Sequence, residues 1–187
     1  MKRKLLVLLF IMSLLVFGNA VEAGNIPDDV LVVANNFDAS SLDPAVAYEF
    51  TSCFTIMNVY DTLVKIEDGE VEPRIAKSWE VSEDKLTWTF NIREDMQFAS
   101  GNDIDAEAVK FSLVRSMEMG KGPSWMLNEV MTSDNIKVLD KYTIQFKLKK
   151  PASYFLSILY NTCASIVDPE VVKSHEKDDD WGENWLN

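Results

Sequence analysis

The chain has 187 residues, with 30 acidic against 18 basic side chains, a formal net charge of −12 and a single histidine. That balance argues against nucleic acid and anionic membrane surfaces as partners, because both demand clustered Lys and Arg. A hydrophobic content of 47% is ordinary for a globular protein with a core of its own.

Lys2, Arg3 and Lys4 precede an apolar run from Leu5 to Phe17, which Gly18 and Asn19 break before Val21-Glu22-Ala23. A basic start, an apolar stretch too short for a bilayer span and small residues for the peptidase predict a cleaved signal peptide over residues 1–23. The alternative is an uncleaved N-terminal anchor. No Cys stands near the cleavage site, so the expected product begins at Gly24 and is periplasmic or extracellular, not a lipoprotein. Cleavage removes three basic residues and one acidic one, making the mature chain more acidic still.

Val30-Leu31-Val32-Val33-Ala34 reads as a short strand buried on both faces, and residues 35–44 form a polar loop closed by Asp43-Pro44. From Tyr48 to Lys65 the residues Phe50, Phe54, Met57 and Leu63 recur at helical spacing, and Glu67-Asp68-Gly69 is a turn. Leu86, Trp88, Phe90 and Ile92 then alternate with Thr87, Thr89 and Asn91, the period of a half-buried antiparallel strand preceded by the Ser82–Lys85 turn. The pattern returns at Tyr142, Ile144, Phe146 and Leu148, with Ile136 and Val138 across an Asp140-Lys141 turn. Between the two hairpins, Ala106, Val109, Leu113 and Met117 mark one helical stripe that Asp105 caps. Pro151 opens a short apolar helix over Tyr154–Tyr160, and Asp168-Pro169 supplies the cap and first residue of another. Trp181 and Trp185 lie in an acidic stretch without a clear element; a self-sufficient module would bury both rings, whereas a fragment would expose them.

Catalytic chemistry finds little footing. His175, the lone histidine, sits among polar residues and reads as a solvated surface side chain, and no nucleophile-elbow pattern accompanies it. Asp103-x-Asp105-x-Glu107 lacks the Gly and distal Glu of a calcium loop, and Asp178-Asp179-Asp180 reads as a solvated charge run. Cys53 and Cys163 fit neither a metal knuckle nor a redox motif by spacing; a disulfide and two separately buried thiols both stay open. No cofactor and no metal are expected.

Ser41-Leu42-Asp43-Pro44 with Val59–Val64, then Glu72–Glu80, Leu86–Arg93, and Phe98–Gly101 followed by Asp105–Ser112 form an ordered set of four segments. In that order they resemble the family 5 extracellular solute-binding proteins, the oligopeptide-, dipeptide- and nickel-binding components of ABC importers. Lys85 stands where the family has a turn glycine, Ser100 replaces Asp or Asn, and Glu107 replaces Asp, all in turns and caps. The resemblance implies an α/β fold with an α+β subdomain: a partial periplasmic-binding-protein type II lobe of mixed and antiparallel sheet with packed helices. It divides the chain into the signal peptide, residues 24–71 as the opening strand–loop–helix of the first lobe, and residues 72–165 as an inserted α+β subdomain. Residues 166–187 are then an incomplete return towards that lobe, in a truncated chain.

The function implied is that of a non-enzymatic receptor for a small solute, most readily an oligopeptide or dipeptide. Ligand is held between two lobes and delivered to ABC permease subunits in the membrane. The alternative is a stand-alone secreted interaction domain that binds no solute. A binding surface needs a partly apolar concavity with a few polar groups to orient the ligand. The expected ligand-binding residues are therefore Phe37, Ser40 and Ser41 in the loop after the first strand, and Trp125 after Gly122-Pro123-Ser124.

Overall fold

The computed structural model describes residues 38–187 continuously and, before them, only Pro27, Val30 and Val32. The signal peptide over residues 1–23, the strand expected over residues 30–34 and Phe37 lie outside the continuous described stretch.

Alternation of aromatic and β-branched residues with Thr and Asn builds the centre of the fold. Strand β4 (Thr87–Ile92) buries Trp88, Phe90 and Ile92 and leaves Thr87, Thr89 and Asn91 half-exposed on the other face. It lies between β3 (Ala76–Val81) and β6 (Thr143–Lys147), and β6 pairs outward with β5 (Ile136–Asp140), every pairing antiparallel. Phe90 stands opposite Ile144 and Trp88 opposite Phe146, so large apolar side chains line one face of the sheet. The two strands expected from period two thus share one sheet. A separate hairpin, β1 (Val64–Glu67) with β2 (Glu70–Pro73), turns through Asp68 and Gly69, both at positive φ. The boundary expected between residues 71 and 72 falls inside β2.

Helix α2 (Ala106–Met119) covers the apolar face of the sheet with Val109, Leu113 and Met117, all buried. Burying a side chain of this kind contributes about 1.5–3 kcal/mol relative to exposure. Asp105 accepts a hydrogen bond from the Ala108 amide at 2.9 Å, and Gly120 closes the helix in the left-handed conformation, so both ends are capped. Helix α3 (Trp125–Val130) adds Leu127 and Val130 to the same core, and α4 (Phe155–Tyr160) adds Phe155, Ile158 and Leu159. Phe155 meets Phe146 and Trp88 edge-on, at centroid separations of 5.8 and 5.3 Å. Asp168 caps α5 (Pro169–His175) by accepting from the Glu170 and Val171 amides, and α6 (Glu183–Leu186) is one short turn at the end of the chain. Among the described residues, no helix is long and apolar enough to cross a membrane.

The opening helix departs from expectation. Helix α1 is shorter than the periodicity implied, spanning Phe50–Val59 before Tyr60 turns extended, so Leu63 reaches the core from outside it. Its apolar stripe also faces outward, with Phe50 83% and Phe54 48% exposed, while Ser52 and Ile56 are the buried positions. The reason is polar: the Ser52 hydroxyl accepts from the Ser41 amide and donates to Glu49, and those bonds turn that side of the helix inward.

Candidate functional site

The loop from Ser40 to Ala47 is held by polar groups rather than by apolar packing. Asp43 is completely buried, and its carboxylate accepts two parallel hydrogen bonds from Arg115 of α2, at 2.8 Å from Nη1 and 2.5 Å from Nη2. Arg115 is 1% exposed, and its Nε donates to the Trp181 carbonyl at 2.7 Å. One guanidinium therefore joins three segments distant in sequence, in the two-pronged geometry that suits Arg and not Lys. Asp43 also accepts from the Ala45 amide at 2.9 Å, which completes the turn. Tyr60 lies in the field of this pair; burial raises its phenol above the ordinary value, the Asp43 charge adds to that, and Arg115 opposes it.

The serines expected at the site are both engaged within the chain. Ser40 is exposed, and its amide and hydroxyl both donate to Glu49, at 2.9 and 2.7 Å. Hydrogen bonds from the Ser52 and Ser40 hydroxyls and the Ser40 amide bring the Glu49 carboxyl down to about 2. Ser41 is buried; its hydroxyl donates to Asn187 and accepts from the Asp43 amide, so it organises the loop from within.

Trp125 opens α3 and is 58% exposed, and does not pack into the core. The turn before it lies on the Ser40–Ala47 loop: a Cβ placed on Gly122 would meet the Val46 carbonyl oxygen at 2.6 Å, and φ there is +49°. The fold thus brings together the two segments from which Ser40, Ser41 and Trp125 were chosen. A groove of about 370 Å³ is lined by Tyr60 together with Phe98, Ser100, Asp168, Val171 and Trp185. The Asp168 carboxylate there accepts from Ser100, Asn102 and the Glu170 and Val171 amides. Burial tends to raise Asp168, but hydrogen bonds from Ser100, Val171, Asn102 and Glu170 outweigh that and hold it below its usual range.

Sequence reasoning missed Arg115. The available signal was one basic residue among apolar and small neighbours in Phe111–Met117, on a helix already assigned to the core. The Asp178–Asp180 run also needs correcting. Asp178 and Asp179 are exposed, but Asp180 accepts from the amides of Lys177, Gly182 and Asn184, which bring its carboxyl down to about 2 and shape the turn into α6. Of the acidic ladder, Asp103 pairs with Lys141 at 3.0 Å and Asp105 serves as a cap, which is local structural work. His175 is exposed as expected, with the Trp185 ring stacked on it at 4.3 Å. The two tryptophans part company: Trp181 is half-buried against Phe111, while Trp185 is 44% exposed.

Comparison with known proteins identifies the family and the fold. Residues 70–187 match the profile of the bacterial extracellular solute-binding proteins, family 5 Middle, and the chain belongs to that family. Its members are binding receptors and not enzymes. The chain is 37% identical over 161 residues to the probable D,D-dipeptide-binding periplasmic protein DdpA of Escherichia coli (strain K12), a match covering 82% of this chain and 30% of DdpA. The substrate-binding domain of an oligopeptide ABC transporter from Bacillus anthracis str. Ames superposes with a TM-score of 0.73 at 17% identity, over 78% of this chain and 31% of that one. The periplasmic binding protein DppA from Helicobacter pylori, in complex with the peptide STSA, superposes with a TM-score of 0.66 at 30% identity, over 79% of this chain and 32% of that one. The fold is accordingly part of a type II periplasmic-binding-protein fold. The chain spans about a third of the length of these relatives.

Proposed function

We propose that the protein is an exported receptor for short peptides, serving an ABC importer, and that this chain supplies part of its first lobe. In this reading residues 24–71 open the lobe, 72–165 form the inserted subdomain and 166–187 return towards the lobe. Ligand is held between this lobe and a second one, and closure presents the liganded shape to membrane permease subunits, a hinge movement of the kind binding proteins use. Phe37, Ser40 and Trp125 face the ligand, while Ser41 sets the loop from behind. The alternative of a stand-alone secreted interaction domain finds no support in the family or the structural neighbours.

The observation that best supports this reading is the seating of the Gly122–Trp125 turn on Val46. It sets the turn that leads into an exposed indole against the Ser40–Ala47 loop, and such a ring is a surface on which a peptide side chain can pack. Kinship with a protein named for D,D-dipeptide binding and with one solved in complex with the peptide STSA favours peptides over other solutes. One lobe offers only an open face, so affinity here is low, because a small ligand gains most when its surface is largely enclosed. Calorimetric titration of residues 24–187 with pooled di- to pentapeptides tests this. Weak heats without saturation in the micromolar range are expected, and submicromolar binding would contradict the two-lobed arrangement.

A further inference from the structure

We propose that Cys53 and Cys163 are a dithiol pair that a disulfide-bearing oxidant, whether a small molecule or a protein, converts into a bridge fastening α1 to the turn after α4. The two residues are 110 positions apart, and they are the only cysteines in the chain. Both thiols are free in this structure. Helix α1 nevertheless lies on the short Thr162–Ala164 turn, and the Cys53 sulfur is 3.8 Å from the Thr162 hydroxyl, on the residue directly before Cys163. Cys163 is 2% exposed while Cys53 is half-exposed, so one thiol is open to an incoming oxidant and the other is held behind it. Burial pushes the Cys163 thiol up to about 12, and Cys53 pushes it in the same direction.

The need for a fastening comes from the helix itself. Of its ten residues α1 buries only Ser52 and Ile56, and its apolar stripe is turned outward, so little packing holds it. An element with so few buried apolar contacts opens first. A bridge at Cys53 would act where that packing is thinnest.

The chemistry is thiol–disulfide exchange. The Cys53 thiol, after losing its proton, attacks one sulfur of the oxidant's disulfide. An S–S bond forms to Cys53, the oxidant's own S–S bond breaks, and its second sulfur leaves as a thiolate that takes up a proton. Cys163 then loses its proton and attacks Cys53 of this mixed disulfide, forming the internal bridge and releasing the oxidant's first sulfur as a thiol. Two protein thiols are oxidised and one disulfide is reduced to two thiols.

The test is incubation of the native chain with oxidised glutathione, followed by thiol titration in denaturant, intact mass and peptide mapping without reductant. Both titratable thiols should be lost, the mass should fall by two hydrogens, and the peptides containing Cys53 and Cys163 should be linked. Cys163→Ser should instead stop at a stable glutathione adduct on Cys53, and Cys53→Ser should leave Cys163 unreacted until the protein is unfolded. Two persisting thiols, or a lasting adduct on Cys53 in the unaltered chain, would overturn the proposal; the peptide map needs no variant, so a misfolded substitution cannot obscure the answer. Because the oxidant is added, failure here leaves the receptor reading untouched.

Discussion

Arg115 reaches across from the middle of α2 to hold Asp43 by both carboxylate oxygens, at 2.8 and 2.5 Å, with neither side chain open to water. Removing one partner strands the other as a buried charge, which costs about 3–5 kcal/mol, whereas replacing both by apolar residues of similar size is close to neutral. Arg115→Met or Asp43→Leu alone should therefore lower the urea midpoint strongly. The double variant should recover most of the loss, short of the bond from Arg115 to the Trp181 carbonyl. Equal and additive losses in a double-mutant cycle would show that the two side chains are not coupled.

Two surface carboxylates, Glu49 and Asp180, contribute to the loss of stability in acid. Glu49 goes from an ordinary value of 4.5 to about 2 in the folded chain, and Asp180 from 3.8 to about 2. A folded-state value below the unfolded one means that the stabilisation is complete above the unfolded value and is lost as the pH falls towards the folded one. Unfolding free energy measured in urea should fall between pH 4.5 and about 2. Glu49→Gln and Asp180→Asn should each flatten that slope and lower stability at neutral pH, since an amide oxygen is the weaker acceptor. Slopes unchanged in both variants would refute the assignment.

Backbone conformation yields two substitutions of opposite sign. Gly122 has φ of +49° with the Val46 carbonyl where a Cβ would go, so Gly122→Ala should destabilise by about 1–3 kcal/mol, the range for a strained backbone position. Lys85 holds φ of +58° in the exposed turn between β3 and β4. Lys85→Gly should raise the thermal midpoint, as release of a left-handed non-glycine residue is worth about 1 kcal/mol. A decrease would show that other contacts of the lysine outweigh the strain.

Trp125 separates binding from folding. Its ring is 58% exposed, so Trp125→Ala should change the unfolding free energy by less than about 0.5 kcal/mol. In the receptor reading the same change should weaken peptide binding by the complete receptor several-fold. A large loss of stability, or unaltered peptide affinity, would remove Trp125 from the proposed site.

How much of this was legible beforehand followed the range of the forces involved. Strands β4 and β6 and helix α2 show in the sequence because their burial repeats every two or three to four residues, as with Trp88, Phe90 and Ile92 or Val109, Leu113 and Met117. Asp105 and Asp168 show because a cap is satisfied within three residues. The Asp43–Arg115 pair does not show, since it joins positions 72 apart and no local pattern encodes it. Helix α1 misleads for a related reason: Phe50, Phe54 and Met57 have the spacing of a buried stripe, but hydrogen bonds at Ser52 decide which side turns inward. Val64 and Lys65 read as the tail of that helix, because the four residues of β1 are too few to display an alternation. At the site, Ser40, Ser41 and Trp125 could each be named from the sequence, but neither the adjoining of their two segments nor the prior commitment of both serine hydroxyls could.

The central claim, a peptide-facing edge formed by the Ser40–Ser41 loop and Trp125, is tested most directly by nuclear magnetic resonance. Residues 24–187, labelled with nitrogen-15, are titrated with pooled di- to pentapeptides into the millimolar range. The predicted result is progressive fast-exchange shifts at the Ser40 and Ser41 amides and at the Trp125 indole N–H, without saturation at micromolar peptide. Shifts absent from those three groups, whether they gather elsewhere, such as the groove at Ser100 and Asp168, or appear nowhere, would contradict it.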